Sequence, residues 1–350
     1  MRTERQLGPY AGVVTPPATG ATHWPDELTR VRLHVVTGKG GTGKTTVAAA
    51  LAIALATRGR RVLLIEVEGR QGIAQVFDRA PLPYAEEKIA AAPKGGEVWA
   101  LAVDAEAALL EYLAMFYNLG FAGRALRSMG AIEFATTLAP GLRDVLFTGK
   151  IKECVGRTDD RGRHVYDAVV LDAPPTGRIV KFLDVTRAMV DLAKVGPIKG
   201  QSEGVARLLH SGDTAVHLVS LLEEMPVRET LDAVDELNAA DLRPGAVLVN
   251  RVTEQRIPAA SLASAASGAI NAARIRDELA TVGLDLPQDT VEDLVTEAME
   301  HAARDEASAR ARATLAEANL PSMDLSELTD GVDVAGLYEL AEALGEQGVR

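Results

Sequence analysis

The chain has 350 residues, of which 47% are hydrophobic and 4% aromatic, a length that allows one large domain or a domain with a sizeable insertion. Its net charge of −12 argues against a nucleic-acid-binding protein, because such proteins present a basic face. A single cysteine, Cys154, excludes an internal disulfide and a CxxC metal site, and it fits a reducing cytoplasm.

In chain order, residues 1–30 predict a flexible arm, since they are rich in Pro, Gly and Thr and lack the apolar core of a signal peptide. No apolar run reaches about 18 residues, so we expect a soluble, cytoplasmic protein. Short β-branched runs predict strands at 33–37, 62–67, 99–103, 167–172, 215–221 and 246–250. Helical stretches between them are clearest at 45–57 and 228–239. This alternation predicts an α/β fold with a doubly wound, mostly parallel sheet.

Two long helical segments interrupt the alternation, at 105–155 and 178–210. We interpret them as an inserted helical subdomain within one domain at 31–350. The first segment collects most of the aromatic residues and has two readings. It forms either an apolar groove that receives a client helix or part of the ordinary core.

The stretch VVTGKGGTGKTTVAAALA, residues 35–52, places a glycine-rich turn between an apolar strand and a helix. Its Gly-x4-Gly-Lys-Thr spacing is the phosphate-loop pattern, in which backbone N–H groups and the helix N-terminus face phosphate oxygens. Lys44 is predicted to contact the β- and γ-phosphates, and the Thr45 hydroxyl to ligate Mg²⁺. The predicted nucleotide-binding residues of the loop are Gly38, Lys39, Gly40, Gly41, Thr42, Gly43, Lys44, Thr45 and Thr46.

Lys39 adds a second lysine to this loop. The segment 39–46, KGGTGKTT, resembles the deviant Walker A class of P-loop ATPases, whose loop reads KGGxGKT followed by T or S. The resemblance implies that Lys39 reaches the nucleotide of another subunit and acts catalytically in trans, within a dimer. The alternative is a solvated lysine that only attracts ATP.

A second motif is YDAVVLDAPPTG, residues 166–177, where an apolar strand ends in Asp172. A carboxylate there predicts a Mg²⁺ ligand, or else an ordinary strand-terminal aspartate. The motif resembles the switch II sequence DTAPTGH of the anion-transporting ATPases, which include the arsenite-pump ATPase and the ATPase that delivers tail-anchored membrane proteins. The resemblance extends over most of the chain and implies that Glu223 lies near the nucleotide and that Asn250 reads adenine.

The main departure from that family follows the second strand, where the sequence is LLIEVEGRQG. The family has an Asp-Pro pair there, and its Asp orients the attacking water. Counting from the strand places Glu68 at that position, as a catalytic candidate or a solvated residue. Because its carboxylate stands on a longer arm, we expect ATP binding with weak turnover.

The resemblance implies an ATP- and Mg²⁺-dependent ATPase that couples its nucleotide state to a protein client or a transport partner. Its dimer would be a homodimer or a heterodimer with a paralogue, placed peripherally at the membrane through a partner. Arsenite carriage, a zinc bridge and an iron–sulfur cluster all need more cysteines than one, so we expect none of them. Two alternatives stay open: a weakly hydrolysing, nucleotide-gated scaffold, and a partitioning or division-site ATPase.

Overall fold

A computed structural model describes residues 23–67, 69–117, 142–184, 197–253, 267, 270–329 and 331–350. Its centre is an eight-stranded sheet. The strands are β1 Leu33–Gly38, β2 Arg61–Glu66, β3 Glu87–Ala92, β4 Gly96–Ala102, β5 Ala168–Asp172, β6 Thr214–Ser220, β7 Pro244–Val252 and β8 Ser322–Ser326.

The sheet order is β3-β4-β2-β5-β1-β6-β7-β8, and every neighbouring pair is parallel except β3 with β4. Strands β1 and β6 are buried along their whole length, and β5 is buried up to Asp172, because helices cover both of their faces. Edge strand β3 is antiparallel and carries a register shift between Lys88 and Ala90. The doubly wound, mostly parallel α/β fold predicted from the sequence is confirmed.

Eleven α-helices occur among the described residues. They are α1 Asp26–Thr29, α2 Lys44–Ala56, α3 Gly72–Val76, α4 Ala105–Tyr117, α5 Leu142–Gly156, α6 Thr176–Leu183, α7 Pro197–Leu209, α8 Glu224–Ala239, α9 Ala272–Thr281, α10 Gln288–Leu315 and α11 Val334–Glu346. No helix in these ranges is long and apolar enough to cross a membrane.

Alternation along β1 divides the core into two layers. Val36 belongs to the layer under α2 and α11, whereas Val35 belongs to the layer under α5, α6 and α8. Helix α2 is apolar all round, and every residue from Val47 to Ala56 is buried. The phosphate loop therefore stands on a helix that is fixed on all sides by packing.

The structure corrects the predicted arm at its C-terminal end. Trp24 and Leu28 are 1% and 2% exposed and belong to the α2 layer, so the packed region begins before residue 31. Residues 1–22 lie outside the description. The predicted helical segments contain α4 with α5 and α6 with α7, but residues 118–141 and 185–196 also lie outside it. The division into a domain with an insertion stays a prediction.

Candidate nucleotide site

The phosphate loop joins β1 to α2 at the carboxyl edge of the sheet. Gly43 is the N-cap of α2 in the left-handed region at φ +87°, and a β-carbon there would lie 2.4 Å from Nδ2 of Asn250. At Gly38 an added β-carbon would lie 2.4 Å from the carbonyl oxygen of Val219. Glycine is therefore required at both ends of the turn. At Gly38 a side chain would have no space, and at Gly43 it would lack space and also be strained by the left-handed backbone.

The two lysines of the loop point to different partners. Nζ of Lys44 donates to the carbonyl oxygen of Lys39 at 3.3 Å, which keeps its amine over the loop. Nζ of Lys39 instead forms an ion pair with Oε1 of Glu229 on α8, 2.8 Å away. The difference separates a lysine that serves its own loop from one directed away from it.

Asn250 is hydrogen-bonded to the backbone of the phosphate loop. It lies near the end of β7, is 6% exposed, and its Nδ2 donates to the carbonyl oxygen of Thr42 at 2.9 Å. The hydroxyl of Thr42 in turn donates to the carbonyl oxygen of Lys39. The amide that the resemblance assigns to adenine is thus engaged with the phosphate loop, a contact that the sequence did not indicate.

Thr45 and Asp172 meet on the other side of the loop. Oγ1 of Thr45 donates to Oδ2 of Asp172 at 2.6 Å, which joins the first turn of α2 to the end of β5. A hydroxyl and a carboxylate beside a phosphate loop are the donors that Mg²⁺ takes, together with phosphate oxygens and water. These residues fit the predicted ion.

The segment after Asp172 is hydrogen-bonded to β1. The Ala173 N–H donates to Val36, and the buried Thr37 hydroxyl donates to the carbonyl oxygen of Pro174 at 2.7 Å. Helix α6 follows and packs against α5, which carries Asp144. Burial raises the pKa of Asp144, and the positive charge of Arg178 on α6 opposes that rise. The nucleotide site is in this way connected to the helical layer.

Glu66 is a site residue that the sequence analysis missed. It ends β2 directly beside Asp172 in the sheet register and is 3% exposed. Its Oε1 accepts from the Gln71 N–H and its Oε2 from the Ile73 N–H. The sequence carries a local signal for Glu66, because an apolar run ends on this glutamate, whereas the resemblance to the family points to Glu68. That residue lies outside the description.

Glu223 is exposed at the N-cap of α8, away from the loop contacts described above. It lines a cleft of about 1240 Å³ between the ends of β6, β7 and β8 and the long helix α10. Arg251 and Glu327 line the same cleft at the ends of β7 and β8. The cleft opens at the carboxyl edge of the sheet, where doubly wound folds bind their ligands.

Comparison with known proteins identifies the family of this chain. A family model for anion-transporting ATPases matches residues 31–212, more than half of the chain. The chain belongs to the anion-transporting ATPase family. It is a P-loop ATPase of that family, as the phosphate loop and switch II resemblance predicted.

Its similarity to individual members varies widely. The chain is 59% identical to ATPase BagA of Mycobacterium tuberculosis over 327 residues, which cover 93% of this chain and 96% of that protein. It is 25% identical over 276 residues to the arsenical pump-driving ATPases of Escherichia coli and Acidiphilium multivorum. Those matches cover 73% of this chain and 45% of each pump ATPase.

Proposed function

We propose that the chain binds ATP with Mg²⁺ in the loop at residues 38–46 and hydrolyses its terminal phosphate. The contact between Thr45 and Asp172 carries the proposal, because it sets a hydroxyl and a carboxylate side by side at the N-terminus of α2. Loop N–H groups and the helix N-terminus bind the phosphates, and Lys44 neutralises negative charge on the β- and γ-phosphates. Mg²⁺, when bound, offsets the charge of the same phosphates.

Lys39 acts in trans within a nucleotide-dependent dimer, as the deviant Walker A resemblance implies. Its ion pair with Glu229 supports this role, because the amine is directed toward α8 rather than over its own loop. In the dimer it would stabilise negative charge developing on the partner's nucleotide. Turnover by the isolated chain is slow, since a glutamate, Glu68, stands where the family has its water-orienting aspartate.

The nucleotide state is coupled to a protein client or a transport partner through switch II and α5. The chain from Asp172 through α6 to Asp144 supports that route. Carriage of arsenite, suggested by the names of the pump-driving relatives, is disfavoured. Cys154 is fully buried, and burial raises the pKa of its thiol far above the usual range, so it is not available as a thiolate ligand.

Substitution of the two loop lysines tests the proposal. Lys44→Ala is expected to lower the affinity for a fluorescent ATP analogue by about 100-fold. Lys39→Ala should keep that affinity but lose steady-state hydrolysis or the nucleotide-dependent dimer seen by analytical ultracentrifugation. Lys94→Ala, an exposed lysine beside β3, is the matched control and should change neither. Unchanged affinity in Lys44→Ala would overturn the nucleotide site.

A further inference from the structure

Glu66 lies across the segment that follows β2 from the proposed metal donor Thr45. Gly72 at the start of α3 lies between them, since a β-carbon added there would be 3.4 Å from Oγ1 of Thr45 and 3.6 Å from Oε2 of Glu66. Glu66 and Asp172 are register partners on neighbouring parallel strands. The carboxylates of Glu66 and Asp172 therefore lie on the same face of the sheet, with Asp172 bonded to the Thr45 hydroxyl and Glu66 on the far side of Gly72.

The carboxylate of Glu66 binds the end of the loop that connects β2 to α3. Both of its oxygens accept backbone N–H groups, one from Gln71 and one from Ile73. Gln71 is left-handed at φ +56° and is held further by two hydrogen bonds between its side-chain amide and the backbone of Leu82. The end of the loop is thus fixed to Glu66 on one side and to Leu82 on the other.

We infer that Glu66 is a positioning residue that links Mg²⁺ binding beside Thr45 and Asp172 to the conformation of residues 69–73, at the end of this loop. A divalent cation held by Thr45 and Asp172 would also be attracted by the negative charge of Glu66 on the neighbouring strand, so that charge would strengthen its binding. The ion in turn favours the arrangement in which Glu66 holds the N–H groups of Gln71 and Ile73. Carboxylates that orient a metal site from outside its ligand set typically change metal affinity by about 10- to 100-fold.

The inference rests on the proposed function, because it needs ATP and Mg²⁺ at the loop. The first measurement is the Mg²⁺ dependence of binding of a fluorescent ATP analogue. In Glu66→Gln the side chain keeps its length but loses the charge and one of the two oxygens that accept N–H groups, so the Mg²⁺ concentration at half-effect should rise by roughly tenfold or more. Affinity measured in EDTA should stay near wild type. Glu66→Asp keeps the charge on a shorter side chain, so its Mg²⁺ concentration at half-effect should lie between those of wild type and Glu66→Gln. Glu87→Gln on edge strand β3 is the matched control and should behave as wild type.

The second measurement reads the loop itself. Arg70 is exposed and provides a tryptic site within it. In wild type, Mg²⁺ with the ATP analogue should slow cleavage after Arg70 more than the analogue with EDTA does. Glu66→Gln should lose this Mg²⁺-specific protection while the rest of the digestion pattern stays the same.

The outcomes separate the two claims. If wild type binds no nucleotide, the proposed function fails. If it binds but Mg²⁺ leaves cleavage after Arg70 unchanged, the link through Glu66 fails, and this result needs no variant to fold. Glu66→Gln or Glu66→Asp with wild-type Mg²⁺ dependence and protection would also overturn it.

Discussion

The two ends of β1 differ in chemistry although they belong to one buried strand. At its carboxyl end, Gly38 opens into a loop with two lysines, and Asp172 ends the neighbouring strand. At its amino end, His34 is fully buried and stacks with His217, which also stacks with Trp24. The comparison shows how one buried strand carries a loop with two lysines at one end and a buried cluster of stacked rings at the other.

The histidine pair at the amino end forms a closed hydrogen-bond chain. The Ala246 N–H donates to Nδ1 of His217, so the proton of His217 is on Nε2 and is donated to Nδ1 of His34, 3.0 Å away. Nε2 of His34 then donates to the carbonyl oxygen of Val31. Every ring nitrogen is used when both rings are neutral, and an added proton has no acceptor.

The largest effect we expect is a loss of folding stability in acid, caused by the buried histidines at the amino end of β1. Burial lowers the pKa of both histidines, to about 3 for His34, against about 6.5 in the unfolded chain. Between these values the unfolded chain binds more protons, so stability is lost as pH falls below about 6.5. Each histidine contributes about 1.4 kcal/mol per pH unit to the free energy of unfolding, measurable by urea titration from pH 7.5 to pH 5.

Variants without the titrating rings sharpen the assignment. The double variant His34→Gln with His217→Gln should be less stable at neutral pH, because the stack and the hydrogen-bond chain are lost, but its stability should fall less with acid. His164→Gln, which removes an exposed histidine, should keep the wild-type pH dependence. Equal slopes for the double variant and wild type would assign the acid sensitivity to other groups.

At the carboxyl end, a single methyl group added to a glycine of the phosphate loop should weaken ATP binding. Gly43→Ala adds left-handed strain and a β-carbon 2.4 Å from the amide of Asn250, so ATP affinity should fall by about 100-fold or more. Gly41→Ala has a similar φ, +89°, but open space around the new carbon, and is the matched control for strain alone. Its loss should be nearer tenfold. Equal losses would mean that contact with Asn250 does not matter.

Asn250 permits a finer test of the same end. Asn250→Ala removes the hydrogen bond to Thr42, which is worth about 1 kcal/mol, so affinity for ATP and GTP should both fall about fivefold. A contact with adenine would add a further loss for ATP alone. Competition binding with the two nucleotides separates the roles. Unchanged affinity for both would show that neither role contributes to binding.

Much of the carboxyl end could be predicted from local sequence. The glycine spacing placed the phosphate loop, and an apolar run ending in Asp172 placed the carboxylate that contacts Thr45. Strand β3 was missed because its Ala-rich sequence has low β-propensity, and only pairing with β4 makes it a strand. Burial of Trp24 was missed because it depends on histidines from two distant strands.

Glu66 and Glu229 were missed for a different physical reason. Each is a glutamate in a sequence rich in glutamates, and nothing local separates a buried or paired one from a solvated one. Glu66 gains its role from the backbone of α3, which folds back onto it. Glu229 gains its role from Lys39, a residue of a distant element that the sheet brings alongside α8. Tertiary contact decides both roles.

The smallest expected effect concerns Glu229, the ion-pair partner of Lys39 at the carboxyl end. Its ion pair with Lys39 is about one-third exposed on both sides, which limits its contribution to roughly 0.2–1 kcal/mol. If Lys39 must leave Glu229 to reach a second subunit, Glu229→Gln should strengthen the ATP-dependent dimer by up to about fivefold in sedimentation experiments. Glu236→Gln on the same helix should have no effect. In a Lys39→Ala background the gain should vanish, because the carboxylate then has no lysine to retain; a gain that persists would place the effect of Glu229 elsewhere.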